Sequence, residues 1–121
     1  MKIVSTNSAK VKTNLSERTL FNHNRLLRSY EGCIGVKTGY TQKSGRCLVS
    51  AAERGGLRLV CVTLGAPDDW NDHAALLEEG FSRYQVQKII RKGDYVDTLE
   101  VVGGENRKVQ VLAAEDFDYA L

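Results

Sequence analysis

No stretch of this sequence has the ~18 uninterrupted apolar residues that a membrane-spanning helix needs. The N-terminus, MKIVSTNSAKVKTNLS, has no apolar core of the kind a secretory leader carries. As given, the chain is therefore expected to stay in the compartment where it is made. Runs of like charge are also missing. Its 17 Lys and Arg are scattered among 15 Asp and Glu, and the formal charge of +2 gives no argument for nucleic acid or a polybasic membrane contact. There is no C-x-x-C pair and no His at ligand spacing, so no metal or other cofactor is expected. The three cysteines, Cys33, Cys47 and Cys61, each lie in an apolar context (EGCIGV, GRCLVSA, LVCVTL) and read as small buried hydrophobes. Their odd number supplies no disulfide framework and leaves the redox compartment open. Internal repeats, heptads and low-complexity tracts are absent too.

What is present is a chain of 121 residues, long enough for one ordinary domain with a core. Its 42% hydrophobic and 26% charged residues place it among soluble globular chains rather than disordered ones. Residues 1–16 are polar, with KIVS as a possible short strand. Residues 17–30, ERTLFNHNRLLRSY, fit a short helix or an ordered loop equally well. Three strands are expected next, over residues 33–40, 46–54 and 57–65. Gly55-Gly56 marks a two-residue hairpin between the last two, because both turn positions need positive φ. The runs CLVSAA and LVCVTL are nearly continuous, which predicts central strands covered on both faces.

After Pro67, residues Trp70, Ala74, Leu77, Phe81 and Tyr84 recur at spacings of four, three, four and three. That stripe predicts a helix packed on the sheet, with Asp68 or Asp69 as N-cap and acids in its first turn. From Gln85 the pattern alternates polar and apolar, punctuated by Lys92-Gly93-Asp94 and Gly103-Gly104-Glu105-Asn106. It reads as three half-exposed antiparallel strands. The change in texture predicts a domain boundary, with 1–84 on one side and 85–121 on the other. Some 37 residues are too few for an independent core. The fold class expected is α+β: an antiparallel sheet with a packed helix, followed by a small β-rich segment.

The chemistry concentrates at Lys37-Thr38-Gly39. A phosphate-binding loop is excluded, because it needs glycine directly before the lysine and a helix after it; Val36 and a strand stand there instead. A solvent-facing strand accounts for any three-residue match. The surroundings add more. NHNRLLRSYEGCIGVKTGYTQKSGRCLVSAAERGGLRLVCVTLGA, followed by a helix ending LLEEGFSRY, resembles the low-molecular-mass penicillin-binding proteins, the serine-type D-alanyl-D-alanine carboxypeptidases. The likeness runs from about Asn22 to Tyr84. It takes in Asn22, Asn24, Leu26 and Leu27, the Lys37–Thr41 strand, the Ser44-Gly45 turn and the closing Gly80-Phe81.

The resemblance implies that residues 1–84 are the C-terminal portion of a β-lactamase/transpeptidase-like catalytic domain and that 85–121 begin a β-rich second domain. It implies that Lys37 supplies positive charge near the nucleophile and the substrate carboxylate. Thr38 would offer that carboxylate a hydroxyl, and Gly39 would let an extended peptide lie close to the strand. The backbone N–H of Tyr40 would be an oxyanion-hole donor, a role typically worth ~2.7–4 kcal/mol of barrier. The implied partners are peptidoglycan stem peptides ending in D-Ala-D-Ala and, for the full-length protein, β-lactams. The full-length family protein would be extracytoplasmic and membrane-associated.

An acyl-serine enzyme also needs its nucleophile with lysine one helical turn on, as S-x-x-K. None of the seven serines here has lysine three residues later. Ser5-Thr6-Asn7 matches S-x-N, but only about thirty residues before Lys37, and reads as coincidence. The chain is accordingly expected to be a fragment cut at both ends and inactive alone. Some relatives place an arginine near the helix start to meet the carboxylate, whereas Asn71 and Asp72 stand here. His23 and His73 are expected in surface or capping roles, and Trp70 in the core. The alternative is a self-standing, non-catalytic module that binds peptides or pairs strands, forming a homo-oligomer through an exposed sheet edge.

Overall fold

The computed structural model describes residues 2–121 and separates into two compact units, one up to Tyr84 and one spanning Gln85–Leu121. In the first unit, the polar N-terminal region forms a hairpin. Strand β1 (Ser8–Lys12) pairs antiparallel with β2 (Glu17–Phe21), and KIVS lies in a turn ahead of it. The segment that fitted a helix or a loop thus divides into β2 and a single helical turn, α1 (Leu26–Ser29).

The central sheet has the order β3-β4-β5, from β3 (Cys33–Thr41), β4 (Gly45–Arg54) and β5 (Leu57–Thr63), all antiparallel. Gly55 and Gly56 turn the β4–β5 hairpin with φ of 55° and 83°, a conformation that a Cβ would oppose. Helix α2 (Asp69–Arg83) follows, with Asp68 at the N-cap. The Asp68 carboxylate accepts from the Asn71 side chain at 2.9 Å rather than from a backbone N–H.

Helix α2 covers one face of the sheet; the expectation of two covered faces holds for β4, where the neighbours Ala51 and Ala52 are both fully buried, and fails for β5. Leu57 and Cys61 of β5 are buried, but Val60 and Val62 between them are 65% and 57% exposed. The apolar run of β5 therefore alternates in burial, because neighbouring side chains on a strand point to opposite faces. β4 is the central strand, with Leu48, Ser50, Ala51 and Ala52 buried. The core beneath α2 joins Ala52, Cys61 and Leu77, with Tyr30, Leu59 and Phe81 packed around it. All three cysteines are free thiols; Cys61 is buried, while Cys33 and Cys47 are half-buried.

The inward stripe of α2 also differs from the one expected. Asp69, His73 and Leu77 are its buried residues, while Tyr84 is exposed and Trp70 only half-buried. Two polar side chains displace apolar ones from the inner face because both find partners on the sheet.

The second unit holds four strands rather than three. β6 (Val86–Ile90) pairs with β9 (Phe117–Ala120), and β7 (Tyr95–Glu100) pairs with β8 (Lys108–Leu112). The additional strand comes from EDFDYAL, whose acids obscure the alternation of Phe117 and Tyr119.

Candidate functional site

Strand β3 is an edge of its sheet, paired only with β4 among the described residues. The register sets Lys37 opposite Val49, Thr38 opposite Leu48, Gly39 opposite Cys47 and Tyr40 opposite Arg46. Paired residues share a face, so Thr38 and Tyr40 stand on the side of Arg46 and Leu48, and Lys37 and Gly39 stand on the other. Lys37, Gly39 and Tyr40 are exposed and Thr38 is half-buried. The Lys37 ammonium donates to the Thr38 carbonyl, while the Thr38 hydroxyl makes no hydrogen bond among the described residues.

A cleft of about 690 Å³ opens beside Lys37, Thr38, Gly39 and Tyr40. Its second wall comes from the segment after β2, with Arg25 and Arg28, and its floor from Arg46, Asp69 and Trp70. The four residues singled out in β3 are thus brought together on one concave surface. Ser5, Thr6 and Asn7 line none of it; the Ser5 and Thr6 hydroxyls donate to the Lys2 carbonyl at 3.2 and 2.9 Å.

The Asn-x-Asn stretch builds the second wall. Asn22 donates through Nδ2 to the carbonyls of Val4 and Thr6, both at 3.1 Å, and its Oδ1 accepts from Asn24 N–H at 2.9 Å. Asn24, 1% exposed, accepts in turn from Leu26 N–H at 3.1 Å. These linked turns bind the segment to the N-terminal loop and carry the exposed Arg25 and Arg28 side chains to the cleft.

The floor is organised by an ion pair over long sequence range. Arg46 of β4 donates through Nε and Nη2 to one oxygen of Asp69, at 3.1 and 2.6 Å. Asp69 is 3% exposed, and its carboxylate pushes the Arg46 pKa further up. The guanidinium of Arg46 lies 5.4 Å from the centre of the Trp70 ring, and that of Arg25 lies 6.0 Å from it. Trp70 is therefore a platform for cations rather than a core residue at the head of its helix. Arg46 did not stand out in the sequence, and Asp69 stood out only as a candidate N-cap and first-turn acid of the helix.

Beneath the floor lies His73, fully buried and not at the surface as expected. Its Nδ1 is 2.5 Å from Ser50 Oγ on β4, and its Nε2 is 3.0 Å from Thr63 Oγ1 on β5. Burial lowers its pKa, opposed by the nearby carboxylates of Asp69 and Asp72. The imidazole is held neutral and ties α2 to two strands. His23, in contrast, is exposed and lies at the cleft wall.

Four cationic side chains, Arg25, Arg28, Lys37 and Arg46, face this cleft against the single carboxylate of Asp69. No group of His, Cys, Asp and Glu among the described residues could hold a metal ion. No helix among them is long and apolar enough to cross a membrane. The arrangement suits recognition of an anionic, extended ligand by an edge strand.

The sequence model of the D-alanyl-D-alanine carboxypeptidase family Peptidase_S11 matches residues 1–68. The D-alanyl-D-alanine carboxypeptidase DacF of Bacillus subtilis is 32% identical over 99 residues, which cover 79% of this chain and 25% of that protein. DacB2 of Mycobacterium tuberculosis is 38% identical over 81 residues, covering 62% of this chain and 28% of that protein. Among solved structures, a peptidoglycan synthesis regulatory factor (PBP3) from Streptococcus pneumoniae superimposes with a TM-score of 0.78 at 25% identity. The match covers 99% of this chain and 36% of that one. The chain spans about a quarter of the length of the curated relatives it matches.

Proposed function

The chain belongs to the D-alanyl-D-alanine carboxypeptidase family, and from that premise we propose that β3 is the substrate-binding strand of a serine-type carboxypeptidase that trims peptidoglycan stem peptides. The observation that carries the reading is the unpaired edge at Lys37–Tyr40 bordering a cation-rich cleft. An extended peptide adds to such an edge as a further strand, its backbone bonding to β3 and its terminal carboxylate meeting Lys37 and Thr38. Residues 1–84 then form the C-terminal portion of a transpeptidase-like catalytic domain, and 85–121 the start of a β-rich domain. The longer protein works outside the cytoplasm in association with the membrane.

In the reaction, a serine of that longer protein loses its proton to a neighbouring lysine, and the serine oxygen attacks the carbonyl of the penultimate D-Ala. The tetrahedral oxyanion takes a hydrogen bond from Tyr40 N–H. Collapse breaks the peptide bond, the terminal D-Ala leaves as the amine with a returned proton, and water later hydrolyses the acyl-serine. Lys37 stabilises negative charge beside the nucleophile, and Gly39 keeps the strand surface open to the peptide. β-Lactams acylate the same serine.

Because S-x-x-K is absent here, the 121-residue chain is inactive by itself. Intact-mass measurement after exposure to penicillin tests this: no adduct is expected, and one covalent penicillin overturns it. Sequencing upstream of the Met1 codon tests the wider reading. An open frame encoding S-x-x-K and then S-x-N supports the carboxypeptidase, and a nearby stop codon removes it.

A second reading is a strand-pairing module without catalysis. The observation in its favour is β5, an edge strand whose outer side exposes Val60 and Val62. It requires an oligomer, so a monomeric mass by light scattering at high concentration rules it out.

A further inference from the structure

Arg25, Arg28 and Lys37 line one cleft, and none of the three forms an ion pair among the described residues. The one carboxylate there, Asp69, is engaged by Arg46 through both Nε and Nη2. Arg25 shares the Trp70 ring with Arg46, at 6.0 and 5.4 Å from its centre. Two guanidiniums are therefore gathered at one aromatic platform with compensation for only one. Arg28 uses Nη1 on the Asn22 carbonyl at 3.3 Å, and its remaining N–H groups have no acceptor among the described residues. Uncompensated cations spread over a convex surface are simply hydrated. Here they converge in a concavity, where the field is focused and raises the local concentration of anions. Lys37 belongs to β3, whereas Arg25 and Arg28 belong to the opposite wall raised by the Asn22–Asn24 turns.

We propose that Arg25 and Arg28, with Trp70, form a second anion subsite. It takes a carboxylate carried by the acyl part of the peptide, upstream of the terminal carboxylate assigned to Lys37 and Thr38. The proposal rests on the peptide-binding reading of β3 and names its substrate class: peptides with at least two carboxylates. A carboxylate matches the guanidinium fork because two parallel N–H···O bonds form at once. Amidation of the upstream carboxylate removes the charge and the advantage.

The test uses the whole 121-residue chain, labelled with ¹⁵N and titrated with two synthetic peptides that both end in D-Ala-D-Ala. One is N-acetylated with neutral side chains; the other carries one glutamate upstream in place of its glutamine. The readout is the ratio of the two dissociation constants, so a general loss of binding cancels. The glutamate peptide is expected to bind about five-fold more tightly at low ionic strength. Raising salt to ~0.5 M should bring the ratio towards one by shortening the screening length. In the Arg25→Gln/Arg28→Gln variant, checked by its ¹⁵N spectrum to be folded, the ratio should be one at every salt concentration. Equal affinity for the two peptides in the parent chain overturns the subsite, as does a preference that survives the double substitution. Shifts at Lys37–Tyr40 without a glutamate preference leave the β3 reading standing and remove only the subsite. Shifts at Arg25 and Arg28 without shifts at Lys37–Tyr40 remove the β3 reading and the subsite that rests on it, as do no shifts at all.

Discussion

Gly39→Ala adds one methyl group to the middle of β3. An ideal Cβ there would lie 3.8 Å from Cys47 Cβ and 3.9 Å from the Cys47 carbonyl oxygen, ordinary contact distances. Gly39 is also not among the glycines with positive φ, so its backbone suits any residue. The protein's own packing gives no reason for glycine at this position. Alanine should leave the folded state undisturbed while restricting the unfolded chain, a gain of ~0.4–1 kcal/mol. Gly32→Ala provides the contrast. Its Cβ would come within 2.6 Å of the Glu53 carbonyl oxygen, at a φ of +81°, and Gly32 itself accepts the Glu53 N–H at 2.9 Å. That substitution should cost about 2 kcal/mol.

If Gly39 serves a peptide lying against the strand, alanine should weaken binding of an acetylated D-Ala-D-Ala peptide by at least about ten-fold, or ~1.4 kcal/mol. Urea denaturation followed by circular dichroism measures the first effect, and ¹⁵N titration the second. Loss of more than about 1 kcal/mol of stability in Gly39→Ala would show that the fold needs this glycine after all. Unchanged affinity in a stable variant would remove the ligand as its reason.

Three further outcomes follow from the floor of the cleft and the core beneath it. His73 is neutral in the fold with its pKa lowered, so the unfolded chain binds the extra proton. Stability should be full above the ordinary histidine value of ~6.5 and fall as pH drops from there through the lower folded value. Urea midpoints between pH 8 and 5 measure this, and His73→Gln should flatten that part of the profile; a histidine-independent slope would refute the assignment. Arg46→Gln leaves the buried Asp69 carboxylate without its partner. Because Arg46 itself is partly exposed, the expected outcome is a lowered urea midpoint rather than loss of the fold, and an unchanged midpoint would show that water replaces the guanidinium. Leu77→Ala opens a cavity against Ala52 and Cys61 and should cost ~2–5 kcal/mol, with a smaller loss meaning that α2 closes onto the sheet.

The sequence alone determined the β3–β5 strands, the helix after Pro67 and the family. Gly55-Gly56 and the runs on either side specify the β4–β5 hairpin because turn geometry and β-branched packing are short-range effects. The Lys37–Thr41 strand, with its flanking asparagines and closing helix, is legible in the sequence as a family pattern. Only the tertiary structure decided which faces are buried. Leu77 belonged to the helical stripe read from apolar spacing, but Asp69 and His73 turn inward with it. Their partners, Arg46 and Ser50, each lie 23 residues earlier on another element. Periodicity counts apolar residues and is blind to a polar group that becomes satisfied across such a distance. The same limit hid the cleft. Arg25, Arg46 and Trp70 are unremarkable in three separate stretches, and they become a charged site only when the β2–α1 turn, the sheet and the head of α2 meet.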